Sequence, residues 1–303
     1  MDFGKILNNS FKTAWEYKTL WILGLFASGS FTGFNLPTKD IDWDRYIDFE
    51  SLGMGRNFMD ALPPAEILLI PVIGFLLLFA LVMLVLNLIC IPAVIDGVNK
   101  IARGGVYTLS GSFKAGLHFF WRFLGLFLLS FFATGVSVVA LILIGVVFFL
   151  IHVAIGIISL LFLLPLLFML IFTVTNIYSL TQRAMVVRDI SIGDALEEGF
   201  FLYRKNFLNN LIIFLIHLGL TIGLGLAAAI VWMVASLPIG AVVMAMGVGL
   251  VPAMIIGLIL GLPVSFVVGG YLGTVFANIY TYFYFELVEP GGARQQPAPA
   301  PAG

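Results

Sequence analysis

Hydrophobic positions run along this chain for lengths that no water-soluble fold buries. Residues 206–285, 80 in all, and residues 123–182, another 60, contain no Asp, Glu, Lys or Arg. The apolar runs are continuous rather than alternating, which reads as helix and not as membrane β-strand. A charged side chain at mid-bilayer costs roughly 2.5–3.5 kcal/mol on insertion scales, which accounts for its exclusion from these runs. At about 20 residues per crossing, the pattern predicts six spans. The first is 20–34, extended back through 15–19 with Lys18 snorkelling outward. The second is 67–95. The 60-residue stretch takes two, with a tight turn near 152–156. The 80-residue stretch takes two more and leaves a surplus, read as long helices kinked at Pro252 and Pro263 or as a half-buried hairpin over 236–252.

Composition agrees with this reading. The chain is 61% hydrophobic and 10% charged, with a mean hydropathy of +1.11. A net charge of −1 argues against nucleic acid as a partner. Cys90 is the one cysteine, so neither an intrachain disulfide nor a cysteine-based metal site can form, and it reads as a small buried hydrophobe. The nineteen residues before Leu20 read as an amphipathic helix rather than as the short basic start of a leader. With six spans, twelve of the 15 Lys and Arg fall on one side. Lys39, Arg45 and Arg56 fall on the other, in an acidic loop over 35–66. The positive-inside rule then puts both termini in the cytoplasm of a prokaryotic, multi-pass inner-membrane protein. Residues 291–303 are a Pro/Ala-rich tail expected to be disordered.

The charged segments resemble one another. Thr108-Leu109-Ser110-Gly111-Ser112-Phe113 aligns with Ser191-Ile192-Gly193-Asp194-Ala195-Leu196, and then Gly116 meets Gly199 and Phe120 meets Tyr203. Ser10-Phe11-Lys12 matches Ser112-Phe113-Lys114, and Asn176-Ile177-Tyr178 returns as Asn278-Ile279-Tyr280. We therefore expect one membrane domain over 1–290, built from three repeats near 1–95, 96–182 and 183–290. Each is an amphipathic cytoplasmic helix, an elbow and a two-span hairpin. In the first helix Phe3, Ile6, Leu7, Phe11, Ala14 and Trp15 share a face. In the third, Ser191 with Asp194 forms a capping-box-like start. Such helices lie in the membrane interface, the alternative being that they are the cytoplasmic ends of long tilted spans.

The runs Arg183-Ala184-Met185-Val186-Val187, Ser191 to Leu196, and Tyr203-Arg204-Lys205-Asn206-Phe207 resemble a pattern in prokaryotic six-span proteins. Those proteins are similar to the membrane domain fused to some glycerophosphodiester phosphodiesterases. Phe11-Lys12-Thr13-Ala14-Trp15 and Leu20-Trp21-Ile22-Leu23-Gly24 fit it as well. The resemblance implies the six-span architecture. The enzymes' soluble catalytic barrel is some 250 residues more, so their activity is not carried over.

Candidate residues fall into three sets. Phe3, Phe11, Trp15, Lys18, Arg122, Tyr203, Arg204 and Lys205 read as lipid or interface contacts. Gly257, Gly261, Ser265, Gly269 and Gly273 recur every four positions and read as a close-packing stripe. Asn87, Asn176, His217 and Asn278 are the polar intramembrane residues. The three asparagines could bond in a ring near a pseudo-threefold axis, and His217, with no embedded carboxylate beside it, reads as structural rather than as a proton relay. The Asp-rich outer loop lacks the glycine and glutamate of a calcium-binding EF-hand, and no phosphate loop, nucleophile elbow or metalloprotease motif occurs. The expected function is non-enzymatic, without cofactor or metal, acting through membrane lipids and a membrane-protein partner or homo-oligomer. The alternative is a transporter or channel for an apolar or amphipathic solute.

Overall fold

The structure is a computed structural model and describes residues 1–27, 65–245 and 250–289. The acidic loop, apart from Ala65 and Glu66, and the tail lie outside the described residues. So do the side chains of Gly257, Gly261 and Ser265. Among the described residues the chain is all-α, with eight helices in the order α1 Phe3–Glu16, α2 Leu20–Ala27, α3 Ala65–Ala102, α4 Leu109–Ile151, α5 Val153–Arg188, α6 Ile192–Lys205, α7 Phe207–Ala245 and α8 Leu250–Val288. Four are long and apolar enough to cross a membrane, over Ile73–Ala102, Leu109–Ile151, Val153–Arg188 and Phe207–Ala227. This is a membrane-embedded, multi-helix protein.

Local chemistry sets the helix boundaries. The Asp2 side chain caps α1 by accepting from the Lys5 backbone N–H at 3.0 Å. Thr108 caps α4 through Gly111 N–H, and Ser191 caps α6 through Asp194 N–H. The Ser191 hydroxyl also donates to the Asp194 carboxylate at 2.7 Å, which steadies the cap. The turn expected near 152–156 is a single residue. His152 closes α4, and its Nδ1 accepts from Ala154 N–H to open α5. The surplus in the last apolar stretch is taken up by length, since α7 and α8 are each 39 residues.

One expectation fails in the second unit, where no elbow separates a short helix from its span. α4 runs unbroken for 43 residues, about 65 Å at 1.5 Å per residue. Nothing in Trp121-Arg122-Phe123-Leu124 breaks a helix. After α6, by contrast, Asn206 turns its side chain back onto the Leu202 carbonyl and competes with the helical ladder.

The core sits at the charged end of the bundle. α3 buries Leu88–Ile101 positions, α4 buries Phe119, Phe123 and Leu126, and α5 buries Phe172, Leu180 and Met185. α8 adds Ile279, Phe283 and Tyr284. The opposite halves are exposed apolar surface, including Phe75, Phe131, Ile142, Leu161, Leu215 and Ile222. In hydrocarbon such side chains carry no penalty, because lipid is as apolar as they are.

Packing follows a regular order. α3, α5 and α8 touch one another. Around them α2 packs between α8 and α3, α4 between α3 and α5, and α7 between α5 and α8. α1 docks on α8 and α6 on α5. Two glycines mark equivalent crossings. A Cβ at Gly116 would strike the Ile89 carbonyl and Ala93, and one at Gly199 would strike Thr181 and the Ile177 carbonyl.

Candidate functional site

The α1–α2 pair docks on one stripe of α8, and the residues that hold it recur every four positions. The Gly270 position lies against the Trp21 carbonyl. The Thr274 hydroxyl donates to the Leu20 carbonyl at 3.1 Å, the Asn278 amide to the Ser10 carbonyl at 3.2 Å, and Thr13 and Tyr282 share a hydrogen bond of 2.6 Å. The described close approach on α8 thus includes Gly270 and Thr274, beside Gly273, which is buried, and Gly269, which is half-buried. This stripe puts Ser10 and Thr13, polar residues, on the buried side of α1 beside Ile6 and Ala14. Phe3 and Phe11 are half-buried, and Trp15 is 63% exposed.

The expected asparagine ring does not form. Asn87 donates to the Phe26 and Ala27 carbonyls, Asn176 to the Phe172 carbonyl, and Asn278 to Ser10. Each finds a freed or nearby backbone carbonyl on its own side before it can reach another asparagine.

The interface residues divide in the same way. Lys18 stands over the Trp15 ring at 5.9 Å and Lys205 over Phe201 at 5.6 Å, all four at the surface. Arg204 is exposed. Arg122 is half committed to the fold, paired with Asp189 at 2.6 Å, which ties α4 to the end of α5. Tyr203 is not a lipid contact. It is buried, with its hydroxyl 2.9 Å from Thr173 and its ring against Phe172 and Phe207. An aromatic after a glycine on the docked face packs inward, and sequence periodicity does not separate that case from a surface anchor. At the turn between α1 and α2, Tyr17 packs edge-to-face on Tyr107. Burial lifts both phenols above their ordinary pKa, with the Glu16 carboxylate adding to the rise at Tyr17.

The most unusual chemistry lies where α5, α7 and α8 meet. Arg183 on α5 is 5% exposed. Its Nη1 donates to the Ser179 carbonyl and to Gln182 Oε1, both at 2.9 Å, and its Nη2 to the Ala277 carbonyl on α8 at 3.4 Å. The guanidinium stands 5.5 Å from the centre of the Tyr280 ring. His217 on α7 packs on the other side of that seam, 5.2 Å from the Tyr280 ring centre and 4.9 Å from Phe276. Four buried polar atoms there have no hydrogen-bond partner, namely Arg183 Nε, Gln182 Nε2, Tyr280 Oη and His217 Nδ1.

A guanidinium stays protonated in proteins, and a buried ion without an opposite charge costs several kcal/mol. Two acids near this end of α5 are engaged elsewhere. Asp189 pairs with Arg122, and Glu198 pairs with Arg188 at 3.1 Å and accepts from the Tyr284 hydroxyl at 2.6 Å. No carboxylate is among the hydrogen-bond or ion-pair partners of Arg183. Sequence reading misses this residue because Arg183 looks like every other base at the charged end. The signal available was its neighbours, since Leu180, Ala184 and Met185 share its helix turn and are all fully buried. His217 is half-buried against the rings of Phe276 and Tyr280.

Among the described residues no three His, Cys, Asp or Glu side chains converge as a metal site. No family model matches this sequence, and neither a curated protein nor a solved structure matches it.

Proposed function

We propose that the chain is a non-enzymatic, six-span protein of a prokaryotic cytoplasmic membrane, made of three repeated hairpin units, that acts through contacts with lipid and with membrane partners. The observation that carries the lipid reading is the pairing of exposed aromatics with bases at the charged end, Trp15 with Lys18 and Phe201 with Lys205. Aromatic rings beside Lys or Arg are the usual furniture of a headgroup region. α1 and α6 dock one side on the bundle and leave these rings outward, the posture of an interfacial helix.

Support for three units comes from packing. The helix or helix start of each unit lies on the last helix of the unit before it, α4 on α3 and α6 on α5, and α1 closes the circle on α8. The positions that align as Ser10, Ser112 and Ala195 are all fully buried. In this topology the second span of each hairpin stands in the centre and the first stands outside. The first and last spans pass through α2 and α8.

Two measurements test the proposal. With a membrane-impermeant maleimide, Gly104→Cys is expected to label in everted vesicles only, and Lys39→Cys from the opposite face. Labelling of both from one face rejects six spans. Replacing Phe3, Phe11 and Trp15 together by Ser is expected to reduce the lipid retained by the purified protein at least twofold. Retention and folding equal to wild type would remove the lipid-contact role.

A further inference from the structure

We propose that the seam between α5, α7 and α8 is a binding site for a phosphate-bearing anion, with Arg183 supplying the neutralising charge. The inference rests on the membrane-lipid reading above and names its ligand class and its residues. Arg183 is a full positive charge in a dry setting whose every described partner is a neutral oxygen or an aromatic face. Arg183 Nε itself has no hydrogen-bond partner, and neither do the Tyr280 hydroxyl and His217 Nδ1 along the same seam. These atoms leave hydrogen-bonding capacity at the seam for a ligand to use. A phosphate ester presents three or four oxygens in a tetrahedron, where a carboxylate presents two in a plane, and charge-assisted bonds from Arg to phosphate are among the strongest available.

Comparison within the chain points the same way. Ile89 and Ile177 hold equivalent places beneath Gly116 and Gly199, and Ile279 repeats Ile177. Six residues on from each stand Ile95, Arg183 and Phe285, all buried. Packing at this position is met by an apolar side chain in two units. The arginine of the remaining unit therefore answers a need other than packing.

The seam also has a way in. Of the long helices, α7 makes the sparsest contacts among the described residues. Its Leu208, Ile212 and Leu215 are exposed, so acyl chains could lie along it while a headgroup reaches the seam. Arg183 lies about 7.5 Å along the axis from Arg188 at the charged end of α5, a depth suited to a lipid phosphate. The same donors would also take free phosphate arriving from that end.

The test uses the full chain in mild detergent, with dioctanoyl phosphatidylglycerol, dioctanoyl phosphatidylcholine and inorganic phosphate as probes, read by native mass spectrometry and thermal shift. One saturable site is expected, with phosphatidylglycerol at least tenfold tighter than the zwitterionic lipid. Arg183→Gln should weaken it at least tenfold, while Arg103→Gln, an exposed base away from the seam, should change it less than twofold. If only the lipid shows this dependence on Arg183, the ligand is a lipid headgroup. If inorganic phosphate shows it equally, the ligand is a free phosphate. Absence of a saturable site for both, or equal binding by Arg183→Gln and wild type, overturns the proposal. Should Arg183→Gln fail to fold, Tyr280→Phe removes only the unpartnered hydroxyl and should weaken binding about threefold, with unchanged affinity again overturning it. The Phe3, Phe11 and Trp15 variant separates the two readings, since it should lower bulk lipid retention and leave this affinity intact.

Discussion

Gly24→Ala is expected to cost about 3 kcal/mol, the upper part of the range for overpacking a filled interior, and to lower the unfolding midpoint in detergent accordingly. At Gly24 helices α2 and α8 cross at backbone distance. A Cβ there would lie 2.6 Å from the Thr274 nitrogen and 2.7 Å from the Gly270 carbonyl, and against the Thr274 hydroxyl. Two of these are main-chain atoms, which cannot swing aside as the end of a flexible side chain can. The helices must separate, and separation also stretches the hydrogen bond from Thr274 to the Leu20 carbonyl. Gly219→Ala on α7 is the matched comparison, since a Cβ there meets nothing within 4 Å. It should be neutral or mildly stabilising through helix propensity. Equal midpoints for the two variants would mean that α2 and α8 do not cross at Gly24 in the membrane.

The crossing at Gly24 also marks the limit of what the sequence discloses. Helices, the one-residue turn at His152 and the cap at Ser191 follow from local chemistry, so they are legible. Charge-free runs report the bilayer directly. Which face of a helix meets which neighbour is a different matter. The stripe Gly270, Thr274, Asn278 and Tyr282 that seats α1 and α2 mixes a glycine with three polar residues, and its hydrogen bonds end mostly on backbone carbonyls. Those acceptors belong to every residue type and leave no trace in the sequence. Of the stripe read from small residues alone, Gly273 is buried and Gly269 half-buried, and their residue type foretells none of these polar contacts. Tyr203 leaves its expected surface setting for a related reason, while Trp15 stays exposed. An amphipathic face docked on a bundle has an inner and an outer edge, and periodicity gives only the face. Arg183 is hidden in another way, because net charge on a segment is a sum and does not distinguish an arginine in water from one 5% exposed.

Phe172→Ala is expected to destabilise the protein by about 2–4 kcal/mol, and its size locates the packed core relative to the bilayer. The ring is fully buried and meets Phe214 at 5.1 Å, Phe207 at 5.7 Å and Tyr203 at 5.9 Å between centroids. It therefore joins the inner helix α5 to α6 and α7. In a water-soluble core such a truncation costs roughly 3–5 kcal/mol, the sum of a transfer contribution and a cavity contribution. In hydrocarbon the separated helices keep the ring in an apolar solvent, so the transfer contribution largely vanishes. What remains is a cavity on the order of 100 Å³, worth about 2 kcal/mol at 24 cal/mol per Å³. A measured cost near 4 kcal/mol in reversible unfolding thus places this layer in the aqueous or headgroup zone, and one near 2 kcal/mol places it inside the hydrocarbon. Phe162→Ala, on the same helix but 70% exposed, exchanges one lipid contact for another and should cost less than about 0.5 kcal/mol. If Phe172→Ala were equally silent, helices α5, α6 and α7 would not share a core at the charged end, and the seam that buries Arg183 would lose the packing that defines it.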